Sequence, residues 1–111
     1  MTTKELIEKT GWTMLSGISD KQITSAYVCD LLSWVMSHGE HGTAWITVMT
    51  HLNVLAVASL HDFSCVIIPE NIAVSDEVIS VANEKGVCLI STPSTAYGAA
   101  IKLAELDVSD I

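Results

Sequence analysis

Apolar positions in this chain recur at two spacings, and the change from one to the other marks its elements. Near the start, Leu6 and Ile7 open the apolar face of a short helix; Thr2 and Glu5 stand as a capping box before it, and Gly11 supplies a left-handed stop. "WTMLSG" and "QITSAYV" read as two short strands around the turn "GISDK", since β-branched and aromatic residues are flanked there by Gly, Ser and Asp. Asp30 stands where it can cap "LLSWVMSH", which Gly39 ends. A regular alternation follows: strand "AWITVM", helix "LNVLAVASLH", strand "SCVIIP", helix "DEVISVANEK" ending at Gly86, strand "VCLIS", helix "STAYGAAIKLAEL". Continuous apolar strands alternating with helices are the pattern of a parallel sheet covered on both faces. The pattern predicts a single α/β domain over residues 1–111, with a mainly parallel sheet, flanking helices and three βα units behind an irregular N-terminal part.

Two helices break the rule that a surface helix keeps a polar face. "LLSWVM" and "LNVLAVASL" are apolar around most of their circumference. Either one of them lies at a subunit interface, or both are sandwiched within the domain. Composition favours an interface. The 111 residues are 50% apolar and 16% charged with a mean hydropathy of +0.45, and small apolar domains often complete their burial as symmetric dimers. A homodimer is expected.

Charge removes other partners. The net charge is −8 and all five basic residues are scattered lysines, so no basic stripe exists to neutralise a nucleic-acid backbone or an anionic membrane surface. The longest apolar region, about residues 44–60, is interrupted by Thr47, Thr50, His51 and Asn53 and does not read as a membrane span. "MTTKELIEKTGW" has neither the basic nor the apolar region of a signal peptide. Cys29, Cys65 and Cys88 are odd in number and widely spaced, as free thiols in a reducing compartment are. A cytoplasmic location is expected.

In parallel α/β sheets ligands bind beyond the carboxyl ends of the strands. Three such ends can be placed, at 47–53, 69–76 and 91–95, all rich in hydroxyls or amides. Helix capping accounts for much of this, with Ser75 and Thr92 as caps and Pro93 in a first helical position. The joint "TVMTHLN" holds more than capping needs. Thr50 suffices as a cap there, leaving His51 and Asn53 over, and a neutral imidazole both donates and accepts a hydrogen bond. Thr47, Thr50, His51 and Asn53, with Asp30, Ser91 and Thr92, are therefore the candidate ligand-binding set.

Other chemistries find little support. There is no glycine-rich loop followed by lysine and no arginine to clamp a phosphate. His38 and His41 flank the helix-ending Gly39, no Cys-x-x-Cys occurs, and three thiols cannot supply four thiolates to a cluster. No nucleophile elbow is present. No catalytic residue, metal ligand or cofactor is assigned.

The chain nonetheless resembles the DRTGG-domain family along nearly its full length, through "LSGISDKQITSAYVCDLLSWVM", "AWITVMTHLNVLAVASLHDFSCVIIPE" and "ISTPSTAYGAAIKL". Of the motif Asp-Arg-x-x-Thr-Gly-Gly it keeps Asp20 and Thr24; Lys21 replaces the arginine, and Ser25 and Ala26 the glycines. Tyr27 to Ser33 and Trp45 to Asn53 follow the family pattern more closely. The nearest likeness is to stand-alone members labelled iron–sulfur-binding hydrogenase-related because their genes accompany iron-only hydrogenase genes. The resemblance implies a fold akin to the N-terminal domain of HPr kinase and a regulatory or interaction role. The expectation is a non-enzymatic regulatory or accessory module that binds a polar small molecule or a protein partner, such as a hydrogenase-system protein, at its strand ends. The alternative is an iron–sulfur or redox accessory protein of a hydrogenase.

Overall fold

The structure, a computed structural model, describes residues 1–17, 20–106 and 108. Its elements are α1 (Thr3–Thr10), β1 (Thr13–Met14), β2 (Ser25–Val28), α2 (Leu32–His38), β3 (Thr43–Ile46), α3 (Leu52–Leu60), β4 (Cys65–Ile68), α4 (Asp76–Lys85), β5 (Leu89–Ser91) and α5 (Ala96–Glu105). They form the expected single α/β domain around one five-stranded sheet of order β1-β5-β4-β3-β2. β2 to β5 are mutually parallel and β1 is antiparallel to β5.

Side-chain alternation along the strands splits the core in two. Trp45, Val66 and Leu89 face α2, α3 and α4, where they pack with Val35, Leu55 and Val78. Ile46, Ile67 and Ile90 face α1 and α5, against Leu6, Ala99 and Leu103. The parallel strands add in one direction, and all three crossover helices lie on one face, as connections of constant hand require. The terminal helices α1 and α5 cover the other.

Local signals set several boundaries as read. Thr2 and Glu5 form the reciprocal capping box of α1, and Gly11 ends it with φ 72°. Ser75 caps α4, accepting from the Val78 amide, and Gly86 ends it with φ 70°. The two N-terminal strands, however, do not pair with each other. β1 lies at one sheet edge, with Thr13 opposite Ser91, and β2 at the other. The chain after β1 is drawn to β5: Ser16 Oγ donates to the Val87 carbonyl and accepts from the Leu89 amide, and a Cβ on Gly17 would stand 2.6 Å from Cys88 Cα. Of the turn expected between these strands, Ile18 and Ser19 lie outside the described residues.

The motif residues before β2 hold the start of the chain. Asp20 Oδ1 accepts from the Lys4 amide at 3.0 Å and from Thr3 Oγ1 at 3.2 Å, at the N-terminus of α1. The Lys4 amide bond is the main cause holding the Asp20 carboxyl below its usual pKa, with threonine hydroxyls assisting. A depressed folded-state pKa makes Asp20 stabilising above its unfolded value and removes that contribution as pH falls through the folded value. The Asp20→Asn variant is expected to melt below the wild type at neutral pH, with the difference shrinking below about pH 4; melting temperature against pH measures it. A constant difference down to strong acid would rule the carboxylate's charge out.

Of the two all-round apolar helices, α3 is the sandwiched one. It packs against both α2 and α4 and buries Val54, Leu55, Val57 and Ala58. The outer helix α2 buries only Val35 fully and leaves Trp34 and Met36 exposed.

Candidate functional site

The carboxyl edge of the sheet carries the loops after β2, β3, β4 and β5. β3 ends at Ile46, three residues short of the strand read from the sequence, because Thr47 turns the chain. Its amide still bonds to the Ile67 carbonyl, while its buried hydroxyl donates to Asp30 Oδ1 at 2.8 Å and accepts from the Met49 amide at 3.2 Å. The same Asp30 oxygen accepts from the Val48 amide at 2.9 Å. Asp30 thus ties the β2–α2 loop to the β3–α3 loop.

That use of Asp30 replaces the helix cap expected of it. Leu31 is the N-cap of α2 and makes no side-chain cap bond. A carboxylate bonded to both a hydroxyl and an amide of the neighbouring loop gains more than from one amide of a seven-residue helix. Thr50 is not the cap of α3 either. The N-cap is His51, with φ −89° and ψ 168° and no side-chain bond to the helix. Among the described residues, no hydrogen bond engages the side chains of Thr50, His51 or Asn53, and His51 and Asn53 are exposed.

Thr92 is likewise not the cap of α5. Its amide remains in the ladder, bonded to the Ile68 carbonyl, which keeps it in strand continuation. Its buried hydroxyl accepts from the Ser94 amide at 3.1 Å, and Thr95 caps the helix instead. Thr47 and Thr92 therefore flank the end of β4 in matching roles. Ser91, half-buried, ends β5 opposite Thr13. Between them, the β4–α4 loop places Glu70 and Asn71 at φ 59° and 53°, a conformation non-glycine residues adopt at a cost. Their amides bond to the Ser94 and Thr92 carbonyls, which hold the turn in place.

The fold thus brings all three strand ends to one edge, yet opens little space there. Met49, Thr50, His51 and Val74 border an apolar cleft of about 190 Å³ that is too narrow for water. Topology explains it. A crevice opens where neighbouring loops leave toward opposite faces of the sheet. Here the loops after β2, β3 and β4 all leave toward one face; where the loop after β5 leaves toward the other, the Glu70 and Asn71 amides bond across to the Ser94 and Thr92 carbonyls and close the gap. Charge adds a second property. None of the five lysines lies in these four loops, which carry Asp30 and Glu70 and lead into Asp76 and Glu77 of α4. The edge is electronegative.

Around that edge lies a surface that the polar residues alone did not reveal. Val28, Leu31, Trp34, Val48 and Leu52 are 41–61% exposed. Three of them are tied to Asp30: Val48 donates to it, Leu31 follows it, and the Trp34 amide bonds to the Leu31 carbonyl. The sequence signal was there in the apolar residues of "VCDLL" and "TVMTHL", which sit in loops or at the terminal residue of an element.

The three thiols do not converge at one point, although Cys65 of β4 and Cys88, which directly precedes the adjacent β5, lie in one core cluster. Cys29 packs on the α2–α4 side of the sheet, Cys65 and Cys88 on the α1–α5 side. Burial pushes the Cys65 thiol pKa well up, and that of Cys88 to about 11. Among the described residues, no three His, Cys, Asp or Glu side chains are grouped so as to hold a metal ion, and no helix is long and apolar enough to cross a membrane.

No family model matches the chain, and neither does any curated protein. Among solved structures, it is similar to the crystal structure of the CBS and DRTGG domains of the regulatory region of Clostridium perfringens pyrophosphatase, complexed with the activator diadenosine tetraphosphate. The TM-score is 0.67 at 14% identity, over 90% of this chain and 44% of that one, so this chain spans less than half the length of the structure it matches. At that identity the likeness is one of fold, and it is consistent with the DRTGG-like fold that the sequence resemblance implies. The protein is an α/β domain whose fold is similar to one found in a regulatory region containing CBS and DRTGG domains.

Proposed function

We propose that this chain is a regulatory or accessory module, not an enzyme, and that it acts through a protein contact, in the first place with a second copy of itself. The carrying observation is the exposed apolar surface of Val28, Leu31, Trp34, Val48 and Leu52 around Asp30. Exposed apolar residues in a continuous patch with polar neighbours mark interaction surfaces. His51 and Asn53, at the start of α3, supply its polar contacts, and Thr50 lies beside them. Asp30 and Thr47 hold the two loops in register, while Ser91 and Thr92 shape the neighbouring end of the sheet.

A small-molecule reading has less room, because the cleft beneath His51 does not admit water. The regulatory region of similar fold binds diadenosine tetraphosphate. A polyphosphate is disfavoured at this edge, where the loops carry acidic residues and no lysine. A hydrogenase-system protein remains the further partner that the family resemblance implies. Thiols on opposite faces of the sheet speak against a cluster held within one chain.

Light scattering at micromolar concentration tests the proposal. The wild type is expected to be dimeric, and the Leu31→Asp, Trp34→Ala double variant monomeric with a similar melting temperature, since both residues are at least half exposed. A monomeric wild type would overturn it. Thermal shift with diadenosine tetraphosphate is expected to show no stabilisation; a saturable shift lost in His51→Ala would replace the protein contact with nucleotide binding.

A further inference from the structure

A second cavity lies at the opposite end of the sheet, at the start of β2 and β3. It has a volume of about 210 Å³ and is lined by Ser25, Ala26 and Tyr27 of β2, Thr43 of β3, and His38, Gly39 and Glu40 at the end of α2. This is room for roughly seven waters' worth of ligand, fewer atoms than a nucleotide needs. No residue of the carboxyl edge takes part in it.

Following each proton shows what the cavity offers. Thr43 Oγ1 donates to the Glu40 carbonyl at 2.7 Å, so its proton is committed. Ser25 Oγ, 3.0 Å from Thr43 Oγ1, must then be the donor of that pair, and presents only lone pairs elsewhere. His38 Nδ1 lies 2.9 Å from the Trp34 carbonyl, which can only accept. The Nδ1 proton is therefore directed there, which leaves Nε2 as the acceptor of the neutral tautomer. Stacking on Trp34 at a centroid distance of 4.1 Å holds the ring in place. Glu40 adds a carboxylate with no ion-pair partner among the described residues, whereas nearby His41 and Lys21 are both drawn to Asp62. Tyr27, partly packed against the core, adds an aromatic side chain to the lining.

We infer that this cavity is a binding site for a small organic ammonium compound, whose N–H donors meet the acceptors of Ser25, His38 and Glu40. An ammonium carries three donors and no acceptor, the complement of such a lining. The chain's net charge of −8 raises the local concentration of cations. An anion would meet lone pairs and a carboxylate, and a neutral alcohol would find no charge to pair. No lining residue of the site belongs to the proposed contact surface, although Trp34 of that surface stacks on His38.

Amide chemical-shift titrations with putrescine, and with 1,4-butanediol as its uncharged counterpart, test the inference. Putrescine is expected to give saturable shifts confined to residues 24–28 and 38–43, and the diol none. Glu40→Gln keeps the backbone carbonyl that Thr43 uses, and is expected to weaken binding about tenfold, the effect of losing one charge-assisted contact. Absence of saturable shifts, equal shifts with the diol, shifts spread over the acidic surface, or unchanged affinity in Glu40→Gln would each overturn it.

Discussion

Replacing Trp45 by alanine is expected to cost roughly 3–5 kcal/mol of stability, the usual range for removing a large aromatic side chain from a packed core. Trp45 is fully buried in the middle of β3, with its ring edge-on to Phe63 at 5.7 Å and its indole N–H donating to the Cys29 carbonyl at 2.8 Å. Since a domain of this size has about 5–15 kcal/mol in all, the variant is expected to be partly unfolded under ordinary conditions. Trp45→Phe separates the two contributions. It keeps most of the apolar contact and removes the indole donor, leaving the Cys29 carbonyl without it, at a cost of about 1–2 kcal/mol. Denaturant midpoints for the pair measure both. Equal losses would show that the hydrogen bond, and not the packed volume, dominates at this position.

The second large effect is expected at Asp30. Alanine there removes the acceptor of both the buried Thr47 hydroxyl and the Val48 amide. Hydrogen bonds to a charged group are worth roughly 1.5–3 kcal/mol. Water can replace the bond at exposed Val48 but not at Thr47, so the net loss is expected to be about 2 kcal/mol. Asp30→Asn keeps an acceptor oxygen and is expected to lose less than half of that. Because Val48 and Leu52 depend on this loop for their placement, Asp30→Ala is also expected to weaken self-association, whereas Asp30→Asn largely retains it. Denaturation and light scattering on the same samples check both. A full loss of stability in Asp30→Ala with unchanged association would detach the loop from the proposed contact surface.

The two ends of the sheet differ in a way that follows from its connections. At the carboxyl edge, the loops after β2, β3 and β4 leave toward one face, the β4 and β5 loops are bonded to each other, and the cleft beneath them stays narrow. At the amino edge, β2 is the border strand and α2 ends beside it, so Ser25, His38 and Glu40 line an open cavity. Candidate residues chosen for lying beyond strand carboxyl ends could not include these. His38 and Glu40 read in the sequence as the residues around a helix-ending glycine. Only the pairing of β2 with β3 sets Ser25 opposite Thr43 and brings the hydroxyl pair to that helix end.

What was legible in advance was local. Thr2 and Gly11 bound α1, Ser75 and Gly86 bound α4, and each such signal is a hydrogen bond or a backbone conformation settled within a few residues. The alternation of apolar strands with helices likewise required only the period of the side chains, and it carried the α/β class and the parallel sheet. Asp30, Thr50 and Thr92 each satisfied a local rule for a cap and none serves as one. Asp30 is claimed by Thr47, seventeen residues away, and Thr92 by the ladder with Ile68. At the third joint the cap passes from Thr50 to His51, with no side-chain bond at all. The order and kind of most elements follow from neighbours along the chain, and so could be read in advance. The tertiary structure alone decided that β1 and β2 lie at opposite edges, that α3 is sandwiched while α2 is exposed, and which polar groups are already spent, because these depend on competition between partners far apart in sequence.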